Sequence, residues 1–284
     1  MLHELNKADY GKARPLFLPL EFHLTGLAVL DEMNPGRCFV DDTDAPKTVF
    51  LSSPEGCYLA GDPQNPEFSH ALNRAIFDRS TLGEHVQMLD FVLASDAWGD
   101  GLVDVLYPRV PIAAPRRHYV CKEPMLGWQS HVPEGFTVSR ITSEILNRPE
   151  VRIPDHVNGW MRHNWGSTSW FLESGFGFVT FHGDEVVSWS LADCVSGGCC
   201  EIGIHTATNY RRLGLATVTA AATVDYALSH GLSTVGWHCD EDNLGSSGTA
   251  EKVGFTRERD YTMYYMFLDE STHLAELARH RARG

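Results

Sequence analysis

The sequence predicts an α/β protein, an α+β mixed sheet with helices packed on it, built as two tandem lobes. Three observations predict this. Residues 201–206, 217–230 and 232–238 read as strand, helix and strand, so a helical crossover should make the two strands parallel neighbours in one sheet. The same order of strands and helices recurs, with altered punctuation, in the first 130 residues. The length of 284 residues also exceeds the roughly 100–200 residues of a single domain. The expected division is a degenerate first lobe over 1–130 and a second lobe over 131–284 that carries the chemistry.

In the first lobe, residues 36–41 and 47–52 read as paired strands, 56–60 as the strand before a loop, and 66–78 as the helix after it. Residues 91–95 match the second strand of the crossover, 99–106 the helix that follows, and 118–122 the strand that closes the copy. Residues 122–135, with Pro124, Gly127, Pro133 and Gly135, read as the linker. The second lobe opens with a strand at 136–141 and a polar helical stretch. Strands at 176–181 and 185–191 are joined by His182-Gly183-Asp184, which has hairpin-turn chemistry. In the helix 217–230, Val218, Ala221, Val224 and Leu228 share one face, and Gly231 supplies a left-handed cap. Residues 246–253 read as a further helix closed by Gly254, and 261–268 as an aromatic closing strand.

Hydrophobic residues at 43% and charged residues at 21% are ordinary globular usage. A net charge of −14 with only 23 Lys and Arg argues against a nucleic-acid partner, which needs a basic stripe. Solubility alone accounts for the acidity, which supports a cationic or amine-bearing small substrate only weakly. The N-terminus lacks the basic and apolar regions of a leader, and no apolar run approaches the roughly 18 residues of a membrane span, so a cytoplasmic location without membrane association is expected. Seven cysteines without C-x-x-C spacing predict neither a disulfide framework nor a metal site. The oligomeric state is not encoded in any of these features.

Between the strand 201–206 and the helix 217–230 lies Arg211-Arg212-Leu213-Gly214-Leu215-Ala216. Strand, loop and helix in this order build an anion site, because successive backbone N–H groups and the positive end of the helix point at one spot. Gly214 permits positive φ or close approach, Ala216 keeps the first turn free of bulk, and Arg211 and Arg212 add charge. The counterpart Gly61-Asp62-Pro63-Gln64-Asn65-Pro66-Glu67 has two prolines without an N–H and two carboxylates that repel a phosphate. The first lobe should therefore not bind a nucleotide.

The loop resembles that of the GNAT superfamily of N-acetyltransferases, whose Gln/Arg-x-x-Gly-x-Gly/Ala motif holds the pyrophosphate of acetyl-CoA; Arg211, Gly214 and Ala216 fill its defined positions. Asn243, Ser246 and the run Ala250-Glu251-Lys252-Val253-Gly254-Phe255 are similar to the family's Asn, Ser or Ala, and Lys-x-Gly-Phe pattern. More narrowly, Gly175-Phe176-Gly177-Phe178, Glu201-Ile202-Gly203-Ile204 and the Trp237-x-Cys239 pair resemble zwittermicin A-resistance acetyltransferases. The resemblance implies a tandem GNAT-like fold with acetyl-CoA bound by the C-terminal lobe. It places the donor on Arg211, Arg212, Leu213, Gly214, Leu215, Ala216 and Thr217, on Asn243 and Ser246, and on the backbone of Ile204, His205 and Thr206. There a bulge, for which Gly203 is suited, would let pantetheine pair like an added strand. Asn243 could instead serve only as a helix cap. The implied reaction is acetylation of an amine on a small molecule such as an antibiotic or metabolite. The acceptor is expected between the lobes, near Trp165, Trp170 and Ser188.

Acetyl transfer to an amine needs a neutral nucleophile, a stabilised oxyanion and a proton for the leaving thiolate. Glu201, at the head of the central strand as the catalytic carboxylate is in many relatives, is the first choice of base. A carboxylate there can also bind the amine or pair with an Arg. His205, His238 and Cys239 are lesser candidates, as imidazole bases and a thiol nucleophile. Relatives often carry a Tyr seven residues after the Asn, where this chain has Ala250; water, Tyr261, Ser246 or unaided thiolate departure remain for the acid step. A regulatory acyl-CoA-binding module without turnover, and a transferase using another acyl donor, are the competing readings.

Overall fold

A computed structural model describes residues 1–79 and 86–283. In chain order the strands are β1 (His3–Glu4), β2 (Arg37–Val40), β3 (Thr48–Ser53), β4 (Gly56–Gly61), β5 (Met88–Leu93), β6 (Ile112–Cys121), β7 (Phe136–Arg140), β8 (Gly177–His182), β9 (Glu185–Ser196), β10 (Cys199–Thr206), β11 (Thr234–Asp240) and β12 (Thr256–Phe267). The helices are α1 (Leu24–Leu30), α2 (Pro66–Phe77), α3 (Trp98–Leu106), α4 (Ser143–Leu146), α5 (Asp155–Trp165), α6 (Thr168–Ser174), α7 (Leu215–Ser229), α8 (Leu244–Val253) and α9 (Glu270–Arg283). Two units result, one from the described parts of 1–32, 36–115 and 261–284, the other from 33–35 and 116–260.

Each unit has one mixed α/β topology. In the first the strand order is β1-β2-β3-β4-β5-β12, with β4 and β5 parallel and the other pairs antiparallel. In the second the order is β7-β8-β9-β10-β11-β6, with β10 and β11 parallel and the rest antiparallel. Strand sense matches position by position, so the tandem fold read from the sequence is realised. The closing strands differ from expectation. Residues 116–121 of β6 pair with β11, and residues 263–267 of β12 pair with β5, so each copy is closed by a strand from the other half of the chain. A closing antiparallel strand carries only an alternating apolar pattern, which fits either sheet and names no partner.

The strands of the first unit are apolar on both faces: Val49, Phe50 and Leu51 of β3 are all fully buried. One face packs Tyr58, Phe17 and Leu20, and the other packs Phe91, Phe68 and Trp98. In the second unit α7 lies on β8, β9 and β10, with Val218, Ala221 and Val224 buried as the helical period requires. Its small residues let helix and sheet approach closely enough for hydroxyls to bridge them. Buried Thr219 Oγ1 donates to Leu215 O at 2.7 Å and lies 2.6 Å from Thr180 Oγ1, and Thr223 Oγ1 donates to Ser190 O at 3.2 Å.

Candidate active site

Strands β10 and β11 pair over only three residues, Cys199↔Thr234, Cys200↔Val235 and Glu201↔Gly236. Beyond that point β10 stays on β9 as far as Thr206, while β11 stays on β6 as far as Asp240. The ladder between β10 and β9 shifts register between Glu201 and Ile202, so a bulge turns the chain where the two parallel strands part. Gly203 serves this turn by size. A Cβ there would lie 2.9 Å from both Asp193 Oδ1 and Trp160 Cζ2.

The opened edge of β10 faces a cavity of about 770 Å³ lined by Ile204, His205 and Thr206, by Arg211, Arg212, Gly214, Leu215, Ala216 and Thr217, and by Asn243 and Ser246. Eleven of the twelve cofactor residues read from the sequence thus meet at one cavity. The twelfth, Leu213, is 48% exposed and lies outside the lining. The lining also includes Tyr210, Leu244, Gly245, Gly248, Thr249 and Lys252, which the sequence reading missed. Gly245, Gly248, Thr249 and Lys252 recur at three- and four-residue spacing on α8, a face legible once the helix start moves to Leu244.

The floor of the cavity is the start of α7. Gly214 is its N-cap residue at φ 82°, and no side chain caps it, so the first-turn N–H groups of α7 are left for a ligand. A Cβ on Gly214 would meet nothing within 4 Å; the glycine is required by backbone conformation and not by crowding. Arg211 Nε donates to Thr206 O at 3.2 Å, tying the loop to the end of β10. Asn243 Oδ1 accepts from Ser246 N at 3.1 Å and so caps α8 while lining the cavity. Ser246 Oγ accepts from Trp237 Nε1 at 3.0 Å.

At the equivalent place in the first unit the helix start is capped by a side chain. Asn65 Oδ1 caps α2 by accepting from Phe68 N, and Asn65 Nδ2 donates to Asp41 Oδ2 at 3.0 Å. Asp41 Oδ1 in turn accepts from Lys47 N and Thr48 N, each at 3.0 Å. Strands β4 and β5 likewise pair over three residues, from Cys57 to Leu59, with one further bond from Ala94 N to Leu59 O at 2.9 Å.

Glu201, at the last pair between β10 and β11, is 4% exposed and is not among the residues that line the cavity. Its Oε1 lies 3.0 Å from His238 Nε2, and Cys194 Sγ approaches Oε2 at 3.5 Å. His205 stacks on Trp189 at the far end of β10, where burial lowers its pKa. Burial pushes the Cys239 thiol up, away from the thiolate form a nucleophile needs. Tyr261 lies in the first unit among the Phe22 and His23 rings. The three expected acceptor residues are occupied internally: Trp165 Nε1 donates to Ala192 O, Trp170 Nε1 to Met33 O and Ser188 Oγ to His205 O. No helix among the described residues is long and apolar enough to cross a membrane.

Slot, bulge and uncapped helix define an acyltransferase of the GNAT type, and the chain belongs to the GNAT acetyltransferase family, whose pattern matches residues 14–264. YdfB of Bacillus subtilis (strain 168), described as an uncharacterized N-acetyltransferase, is 27% identical over 267 residues, spanning 93% of this chain and 98% of its own length. A GCN5-related N-acetyltransferase-like protein from Streptococcus suis superposes with a TM-score of 0.66 at 25% identity, covering 92% of this chain and 100% of that one. The tandem GNAT protein from the clavulanic acid biosynthesis pathway shares the fold, with a TM-score of 0.58 at 11% identity over 95% of this chain and 99% of that one.

Proposed function

We propose that the chain transfers the acetyl group of acetyl-CoA to an amine of a small molecule, an amine-bearing antibiotic or metabolite. The observation that supports this reading is one cavity lined both by residues 204–206 of β10, beyond the point where that strand leaves β11, and by the uncapped start of α7. An extended pantetheine arm suits the open edge of β10 at Ile204, His205 and Thr206, and a pyrophosphate suits the N–H groups of residues 214–217 beside Arg211 and Arg212. Asn243, Ser246 and Lys252 would flank the remainder of the donor.

In this reading Glu201, with His238 on its Oε1, takes a proton from the acceptor ammonium. The free amine forms a bond to the thioester carbon, and the carbon–sulfur bond breaks as the intermediate collapses. Of the two protons lost by the ammonium nitrogen, one leaves to solvent and one ends on the thiol. Ala250 is fully buried and carries no acidic group, so the thiolate takes its proton from water or from the Ser246 hydroxyl.

The test is release of free thiol from acetyl-CoA by the purified protein with a panel of amines, alongside native mass spectrometry for co-purifying CoA species. Thiol release with at least one amine, abolished in Gly214→Glu, is expected. Tight acetyl-CoA binding without thiol release for any amine would overturn transfer and leave a binding module.

A further inference from the structure

On β6, His118 stands directly opposite His238 of β11. Their rings stack with centroids 4.4 Å apart and planes 17° from parallel. His238 Nε2 reaches Glu201 Oε1 at 3.0 Å, and His118 Nδ1 reaches Glu258 Oε2, on β12, at 2.9 Å. Side-chain exposure is 5% for Glu201, 9% for His238, 5% for His118 and 40% for Glu258, so two buried rings stand between a buried carboxylate and a surface one. Gly236 makes the arrangement fit. It pairs with Glu201 across the ladder, and a Cβ on it would lie 3.0 Å from Glu201 Cγ and 3.4 Å from His118 Nε2. Histidines serving only as filler would not need a carboxylate on each ring and a missing side chain between them.

We propose that His118 is a positioning residue for acetyl transfer, a ring platform that fixes the plane of His238 on Glu201 Oε1. The proposal rests on the Glu201–His238 assignment above. Glu201 from β10, His238 from β11 and Glu258 from β12 all act electrostatically on His118. Burial first, and then charge on His238, hold the His118 pKa down to about 4, with the two carboxylates offsetting part of the effect. At neutral pH His118 is therefore uncharged and donates its Nδ1–H to the Glu258 carboxylate, which can only accept. An uncharged ring stacked 4.4 Å away adds no positive charge beside the Glu201–His238 pair.

The test uses the full-length protein with His118→Phe, which keeps a ring, and His118→Ala, which removes it. Imidazole NMR on the resting protein reads the bonded Nε2–H of His238. It should persist in wild type and His118→Phe, and be lost to solvent exchange in His118→Ala, with His118 of the wild type neutral down to about pH 4. In turnover, His118→Phe should stay within about threefold of wild-type kcat. His118→Ala should lose on the order of tenfold or more, with the acid limb of its pH profile shifted and the KM for acetyl-CoA unchanged, as expected when an acid–base group is misplaced. An intact Nε2–H signal in His118→Ala, protonation of His118 near its ordinary value, or equal losses in the two variants would overturn the proposal. A wild-type protein that turns over no amine would sink the transferase reading alone, because the resonance is read without turnover.

Discussion

In the proposed reaction Glu201 is the base and Gly214 opens the donor's helix, and each makes a distinct demand on one residue. Glu201 is buried at the bulge with His238 Nε2 3.0 Å from its Oε1, and in the proposed reaction it is the group that exchanges a proton with the acceptor. Glu201→Gln keeps the shape and removes the base. We expect kcat to fall by about 10²- to 10³-fold with the dissociation constant for acetyl-CoA unchanged, read by stopped-flow thiol release and calorimetry. Gly214 is needed only for its left-handed φ. Gly214→Ala should strain the loop by about 1–2 kcal/mol and weaken acetyl-CoA binding on the order of tenfold while leaving the fold intact, as circular dichroism would check.

At the scale of elements, the central feature is α7, held to the sheet by a ladder of buried hydroxyls. Thr219 touches Leu215 O, Thr180 Oγ1 and, at 3.5 Å, Ser188 Oγ, and Ser188 in turn donates to His205 O. The ladder thus runs from the first turn of α7 to the strand edge proposed for the donor. Thr219→Val matches the volume but strands its partners, so a loss of about 1–3 kcal/mol is expected in urea unfolding with an unchanged m-value. The local elements of this region were legible because each carries its own signal. The loop residues 211–216 announce themselves by a glycine and small residues, and α7 by the apolar face of Val218, Ala221 and Val224. The lining by Gly248 and Lys252 was missed because it depends on which face α8 turns, and the role of His118 because it depends on a cross-strand neighbour over a hundred residues away. Pairing partners of that range leave no trace in a local window.

For the molecule as a whole, buried histidine sets one pH dependence. His118 has a pKa of about 4 in the fold against an ordinary 6.5, so the unfolded chain binds more protons between those values. Stability present above pH 6.5 is therefore lost progressively as pH falls toward about 4. Thermal melts across that interval should show a falling Tm, with a shallower fall in His118→Phe. The exchanged closing strands make a second prediction. A fragment of residues 1–130 lacks the strand that pairs with β5, and a fragment of 131–284 lacks the one that pairs with β11. Neither should give a dispersed amide spectrum alone; well-folded, soluble fragments would contradict the exchange.

That exchange also bears on how the chain is made. On the ribosome, β5 emerges at Leu93 but its neighbour in β12 is not complete until Phe267. At about 5–20 residues per second the delay is on the order of tens of seconds, during which a hydrophobic strand edge of the nascent first unit waits uncovered. Synthesis of the second unit must be finished before the first can close. Slowing translation after Leu93 should therefore raise aggregation and chaperone dependence, whereas the same delay placed after Phe267 should not.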